Sequence, residues 1–128
     1  RILIWTMKKF IYLSSCDTCK RIQNELNLST EVELQDIKKN PITEEQLEML
    51  HSKVGSYEGL INNRARKFKE LGLSPKEVSE EQRKELLLSD YTFLKRPILI
   101  WEDKLFVGNA KKTVEDAKGA VASKWVKP

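Results

Sequence analysis

The stretch that decides the fold is SSCDTCKRI, residues Ser14–Ile22, because it contains both cysteines of the 128-residue chain. Two residues separate Cys16 from Cys19, and the basic pair Lys20 and Arg21 follows directly. Cysteines this close together are typical of a redox-active dithiol, of half a metal site, or of two inert thiols packed in a core. The segments on either side of the pair help to decide between these interpretations.

The cysteine stretch lies between a predicted strand and a predicted helix. Lys8–Ser14 (KKFIYLS) is rich in aromatic and branched apolar residues, which predicts a buried strand, and Lys20–Leu28 (KRIQNELNL) has near-helical apolar spacing. Glu31–Ile37 (EVELQDI) alternates in character, which predicts a second strand with Val32, Leu34 and Asp36 on one face and Glu31, Glu33 and Gln35 on the other. A right-handed crossover would make the two strands parallel.

The segment from about Pro41 to Leu94 predicts helices throughout. Thr43 and Gln46 form a capping-box pattern, and Ser74 and Ser79 begin similar patterns.

A short helix is predicted within NNRARKFKELGL, inside this helical segment. We expect Phe68 and Leu71 to face inward and Gly72 to end the helix.

Strands return after the helical segment. Arg96–Trp101 (RPILIW) and the LFVGN segment, separated by the turn EDK, predict a β-hairpin, and a last helix follows from about Ala110 to Lys124. The order is therefore βαβ, a helical block, then ββα. This predicts an α/β thioredoxin-like fold with an all-helical insertion between the second and third strands, in one domain spanning residues 1–128 with the insertion at about 41–94.

The composition indicates a globular protein, with 40% hydrophobic and 33% charged residues. The net charge is only +4 and the charges are interspersed, so we expect no direct nucleic-acid binding. No apolar run approaches the roughly 20 residues that span a bilayer, and RILIWT is too short for a signal peptide. Residues 1–6 are interpreted as an upstream extension before Met7, and we expect a cytoplasmic location and no membrane contact.

This arrangement gives Cys16 a chemical role. A cysteine between the first strand and the first helix would lie at the helix N-terminus, where free N–H groups and the helix dipole favour an anion. Such a site lowers a thiol pKa from about 8.5 to roughly 3.5–7.5 and produces the nucleophilic thiolate. Cys19, one turn later, could resolve a mixed disulfide. Lys20 and Arg21 add positive charge, whereas Asp17 opposes the thiolate.

The alternatives for the pair are less favoured. A structural zinc site needs four ligands, and the chain offers two cysteines and one histidine, His51, so we expect no metal. Two inert buried thiols remain open as an interpretation.

Pro97 opens the third predicted strand. In thioredoxin-like proteins a proline at this place faces the cysteines, and its peptide bond is usually cis. Pro97 could instead simply end the preceding helix. With the cysteines in their predicted place, we favour the cis form.

The chain resembles the ArsC/Spx family, the glutaredoxin-related arsenate reductases and their relatives, from about Lys8 to Val121. Four stretches carry the resemblance in order: SSCDTCKRI, LINNRARKFKELGL, LKRPILI and KLFVGN. The Cys-containing first turn combined with Arg-Pro before the third strand is a fairly specific pattern.

The resemblance implies a role for each matching residue. Cys16 corresponds to the family's nucleophile and Cys19 to the second cysteine of Spx-type members. Arg96 corresponds to the arginine before the cis-proline Pro97, where it would stabilise a thiolate or a bound oxyanion. Arg64 corresponds to an arginine of the Spx-like and YffB-like branch, and it could equally be a solvated surface charge.

Departures from the pattern of the plasmid-type arsenate reductases place the chain nearer to the Spx-like and YffB-like branch. Plasmid-type arsenate reductases have three arginines around the cysteine, and two of those positions are Asn62 and Gly108 here. The histidine that some members place four residues before the cysteine is Tyr12. The resemblance therefore implies weak activity on arsenate.

Two functions follow as expectations, beside a third interpretation in which the protein has no turnover and only binds a partner. The first is a thiol–disulfide oxidoreductase with no bound cofactor, which uses Cys16 as nucleophile and Cys19 or glutathione as resolving thiol. Its substrate would be a glutathione mixed disulfide, a protein disulfide or, less readily, arsenate. The second is an Spx-like redox-sensing regulator that binds the C-terminal domain of the RNA polymerase α subunit. We expect a monomer, because no apolar stripe remains unassigned.

Overall fold

Residues 8–126 are described by a computed structural model. The predicted extension at residues 1–6 and Met7 lie outside the described residues. The chain divides into two units: the first comprises the chain up to Asn40 and from Arg96 onward, and the second is Pro41–Lys95. Among the described residues, no helix is long and apolar enough to cross a bilayer.

The first unit contains one four-stranded sheet. Its strands are β1 (Lys8–Tyr12), β2 (Glu33–Asp36), β3 (Ile98–Trp101) and β4 (Lys104–Val107), in the spatial order β2-β1-β3-β4. Strands β1 and β2 are parallel, whereas β3 is antiparallel to both β1 and β4. This is the predicted arrangement of a parallel βαβ pair followed by a hairpin.

Two helices belong to this unit, α1 (Asp17–Leu26) and α5 (Lys111–Val126), and they contact each other. Both turn apolar side chains towards a shared core with the sheet. Its buried members are Phe10, Ile22, Leu26, Val32, Leu99, Trp101, Val114, Ala117 and Val121. The core fixes α1, and therefore the cysteines at its start, against the centre of the sheet.

The second unit is helical, apart from one isolated bridge between Ile61 and Leu94. It contains α2 (Glu44–Val54), α3 (Arg66–Glu70) and α4 (Glu80–Ser89), followed by a single 3₁₀ turn at residues 91–93. Both predicted capping boxes that begin a helix are confirmed: Thr43 with Gln46 starts α2, and Ser79 with Gln82 starts α4. The predicted all-helical segment between the second and third strands is thus present.

Some local predictions are wrong. Ser74 starts no helix; its carbonyl instead accepts the Glu77 N–H at 3.0 Å in a turn. Leu71 is 52% exposed because α3 ends one residue before it, although Phe68 is buried as predicted. The chain reverses at Gly72, where φ is +69°, and the N–H of Leu73 bonds back to the Phe68 carbonyl at 2.9 Å.

Strand β2 also differs from the simple alternation predicted for it. Leu34 is 48% exposed, whereas Gln35 is only 7% exposed. Gln35 can be buried because its amide Nε2 donates to the Asn40 carbonyl at 2.9 Å. β2 is an edge strand with a neighbouring strand on one side only. The side chain of Leu34 is therefore covered less than an apolar side chain on a central strand.

Candidate active site

Cys16 caps the N-terminus of α1, as predicted from its place after β1. Its backbone is extended (φ −99°, ψ 113°), and its Sγ accepts a hydrogen bond from the Cys19 N–H at 3.4 Å. A turn delivers it to this position, since the Cys16 N–H donates to the Leu13 carbonyl at 3.0 Å. The sulfur is therefore the N-cap acceptor of α1, a role that a serine, threonine, aspartate or asparagine oxygen fills in many helices.

The surroundings of Cys16 lower its pKa. Partial burial is the largest single influence and opposes the thiolate, but the Cys19 N–H, the Cys19 thiol and the Arg96 guanidinium together outweigh it. Each of these groups donates to the sulfur or places positive charge near it, so each favours the ionised form. A lower thiol pKa increases the fraction of thiolate at a given pH, and the thiolate is the nucleophilic form of cysteine.

Cys19 has the opposite character. Its side chain is buried, and burial, together with the neighbouring Cys16, raises the pKa of its thiol to about 12. Both cysteines are free thiols. The two thiols are thus strongly differentiated, because the pKa of Cys16 is lowered and the pKa of Cys19 is raised.

Arg96 and Pro97 stand at the entrance to β3. The Arg96–Pro97 peptide bond is cis, as predicted, and the Pro97 carbonyl accepts the Gly108 N–H at 2.9 Å. Arg96 is half-buried, and its charge reaches both cysteines. The first unit is made of two separate segments of the chain. The structure brings Arg96, at the start of the second segment, close to Cys16 and Cys19 in the first.

The charged residues that follow Cys16 in sequence face solvent. Asp17, Lys20 and Arg21 are exposed, and Arg21 forms an ion pair with Glu25 at 2.7 Å on the surface of α1. Arg96 comes from 80 positions away in sequence, yet it is the cation that acts on the sulfur.

Arg64 belongs to the second unit. Its side chain is exposed, and its backbone N–H donates to the Asn62 Oδ1 at 3.0 Å. His51 lies in the same unit, stacked on Tyr57 with ring centroids 4.1 Å apart. Within residues 8–126 no group of three or more potential metal-ligating side chains comes together.

Asp36 contacts the loop that leads into the site, and this contact was not predicted from the sequence. Asp36 ends β2 and is only 9% exposed, and its Oδ1 accepts the Ser14 N–H at 3.1 Å, two residues before Cys16. The available signal was an acidic residue in a predicted parallel strand next to the strand that leads into the cysteine loop.

A sequence profile of the ArsC family matches residues 12–117, which is most of the chain. The chain belongs to the ArsC family. The uncharacterised protein YusI of Bacillus subtilis strain 168 is 30% identical over 111 residues, covering 84% of this chain and 94% of YusI.

Solved structures agree with this membership. A protein described as a possible arsenate reductase from Streptococcus mutans UA159 is 30% identical with a TM-score of 0.68, over 87% of this chain and 97% of that one. An ArsC-family-related protein from Bacteroides fragilis is 26% identical with a TM-score of 0.69, over 88% and 98%. The thioredoxin-like fold class of the ArsC family is thereby confirmed for this chain.

Proposed function

We propose that this ArsC family member is a cytoplasmic thiol–disulfide oxidoreductase in which Cys16 is the nucleophile. The supporting observation is the contrast between the two thiols: the pKa of Cys16 is lowered beside Arg96, whereas the pKa of Cys19 is raised to about 12. A thiol that ionises readily attacks disulfides, and a thiol that stays protonated does not compete with it.

The first step is attack of the Cys16 thiolate on the glutathione sulfur of a mixed disulfide. A bond forms between Cys16 Sγ and that sulfur, the substrate's own S–S bond breaks, and the substrate leaves as a thiolate that takes a proton from water. Arg96 holds Cys16 ionised before attack, and the α1 N-terminus assists it.

The second step regenerates the enzyme. A glutathione thiolate attacks the sulfur of the bound glutathione, so that Cys16 leaves as a thiolate and oxidised glutathione is released. The pKa of about 12 at Cys19 favours glutathione as the resolving thiol near pH 7. If Cys19 resolves instead, it loses its proton, forms a Cys16–Cys19 disulfide and releases glutathione, and two further glutathiones must reduce that disulfide.

Arg96 and Pro97 would line the place where the substrate sulfur binds. Asn62 and Gly108 supply no guanidinium at the positions where plasmid-type arsenate reductases have one. A glutathione mixed disulfide is therefore a better substrate than arsenate in this proposal.

The test is turnover in an assay that couples glutathione oxidation to NADPH consumption. A glutathione mixed disulfide and arsenate are offered separately to the wild type and to Cys16→Ser. We expect the wild type to turn over the mixed disulfide and Cys16→Ser to be inactive. Full activity in Cys16→Ser would show that the nucleophile is wrongly assigned, and faster turnover of arsenate would show that the substrate class is wrong.

A second function is supported by the closeness of the two cysteines. Cys16 Sγ already accepts the Cys19 N–H, so an internal disulfide could form in response to oxidants and act as a switch. In that case the protein would be an Spx-like regulator that binds the RNA polymerase α C-terminal domain. Absence of Cys16-dependent turnover of either substrate, with oxidation-dependent binding of that domain, would favour the regulator.

A further inference from the structure

Asp36 places a buried carboxylate directly behind the cysteine loop. Its Oδ1 accepts two backbone hydrogen bonds of 3.1 Å, one from the Ser14 N–H and one from the Lys38 N–H. The two donors lie in different segments, 22 residues away and two residues away. The carboxylate therefore links the end of β2 to the loop that leads into α1.

A carboxylate in this position must be stabilised, because burying an ionised group without hydrogen bonds is costly. Hydrogen bonding from Ser14, first through its hydroxyl and then through its backbone N–H, lowers the pKa of Asp36 although burial opposes ionisation, and Lys38 and Lys39 assist. Asp36 thus remains ionised at neutral pH and holds Ser14 strongly.

Ser14 is the second residue of the turn that delivers Cys16. The turn runs from Leu13 to Cys16 and is closed by the 3.0 Å bond from the Cys16 N–H to the Leu13 carbonyl. With residue 14 fixed by Asp36 and residue 16 fixed at the cap of α1, the sulfur is held where the Cys19 N–H can donate to it. That contact is long, at 3.4 Å, so a small movement of the turn would weaken it.

We propose that Asp36 is a positioning residue for Cys16, holding the Leu13–Cys16 turn so that the sulfur meets its thiolate-stabilising donors. The proposal rests on the assignment of Cys16 as the nucleophile. Asp36 itself touches neither the sulfur nor a substrate.

The direction in which the Cys16 pKa changes when Asp36 is replaced distinguishes a positioning role from a simple effect of the Asp36 charge. If Asp36 acted only through its negative charge, its removal would relieve repulsion and lower the Cys16 pKa. If it holds the turn, its removal weakens the contacts from Cys19 and Arg96, and the Cys16 pKa rises. If it matters only for stability, the pKa does not move.

The experiment measures the rate of Cys16 alkylation by iodoacetamide against pH, with mass spectrometry to locate the label. The variants are Asp36→Ala, Asp36→Asn and, as a matched control, Asp90→Ala. Asp90 is also a carboxylate that holds a loop, accepting the Thr92 N–H at 2.8 Å and the Thr92 hydroxyl at 2.7 Å, but it lies in the second unit. Urea denaturation of each variant gives its stability.

We expect Asp36→Ala to raise the Cys16 pKa by about one unit, which lowers the alkylation rate below the pKa about threefold, since a more basic thiolate partly compensates by greater nucleophilicity. Asp36→Asn keeps an acceptor oxygen and removes the charge, so its Cys16 pKa should lie at or below that of the wild type. Asp90→Ala should lose stability without changing the profile.

A lowered or unchanged Cys16 pKa in Asp36→Ala would overturn the proposal, and so would a rise in Asp36→Asn equal to that in Asp36→Ala. Should Asp36→Ala fail to fold, Ser14→Ala provides the test, since it removes only the hydroxyl donor; a smaller rise supports the proposal and no rise overturns it. Alkylation needs no substrate. Failure of the reductase assay and failure of this proposal are therefore distinguishable.

Discussion

At the scale of single residues, the reactivity of Cys16 depends on a balance between burial and positive charge. Burial alone would raise its pKa, and the opposing groups are the two donors of Cys19 and the guanidinium of Arg96. Arg96 is the only one of these that carries a full charge, and it is held near the sulfur by the start of β3. Removal of the Arg96 side chain should therefore have a large effect on the Cys16 pKa.

We expect Arg96→Ala to raise the Cys16 pKa and to slow alkylation near neutral pH, because the thiolate loses a cation and a hydrogen-bond donor. The pH profile of iodoacetamide labelling measures this. Arg21→Ala is the matched control, since Arg21 is an arginine only five residues from Cys16 whose side chain pairs with Glu25 on the surface. An identical profile for wild type and Arg96→Ala would remove Arg96 from the site.

Residue-scale predictions succeeded where the cause is local or tied to the element order. Cys16 at the start of α1 follows from the succession of strand, turn and helix, and the cis peptide bond before Pro97 was expected from what thioredoxin-like proteins have at this place. The contribution of Asp36 could not be predicted, because it depends on a contact with Ser14 across two parallel strands. The roles of Arg96 and Arg64 in turnover stay predictions.

At the scale of elements, the predicted capping patterns at Thr43 and Ser79 start helices, whereas the one at Ser74 does not. A capping box is a pattern of four consecutive residues, so the sequence contains all of its partners. The face of β2 was less predictable, since the burial of Gln35 depends on an acceptor at Asn40, beyond the end of the strand. The exposure of Leu71 was not predicted, because α3 already ends at Glu70 and Leu71 lies outside the helical face that buries Phe68.

The start of α4 offers a test at this scale. The Ser79 hydroxyl accepts the Gln82 N–H at 3.2 Å, and the Gln82 side chain accepts the Ser79 N–H at 2.9 Å. We expect Ser79→Ala to lower the free energy of unfolding by about 1 kcal/mol, measured by urea denaturation. Ser79→Asp, which keeps a capping oxygen, should recover most of the loss. Equal losses in the two variants would show that the cap contributes little.

At the scale of the whole molecule, carboxylates with pKa values below their usual range occur in both units, within residues 8–126. They are Asp36 in the first unit and Glu48, Glu80 and Asp90 in the second. A carboxyl whose pKa is lower in the folded state adds stability above its unfolded pKa of about 4. That stability is lost as the pH falls through the folded pKa, so the protein should be stable from about pH 7 to 5 and weaken in acid.

Glu80 is the best carboxylate for testing this pH dependence. Burial opposes its ionisation, but it accepts the backbone N–H groups of Tyr57 at 2.8 Å and Glu58 at 3.2 Å and pairs with Arg83 at 3.1 Å, so its pKa is lowered. We expect Glu80→Gln to be less stable than the wild type at pH 7, with the difference shrinking as the pH falls below about 4, because protonation removes the same charge from the wild type. Urea midpoints followed by circular dichroism between pH 7 and 3 measure the difference. Glu81→Gln, at the exposed neighbouring position, is the control, and its urea midpoint should stay close to that of the wild type at every pH. A stability difference for Glu80→Gln that does not change with pH would show that the charge of Glu80 is not what stabilises this unit.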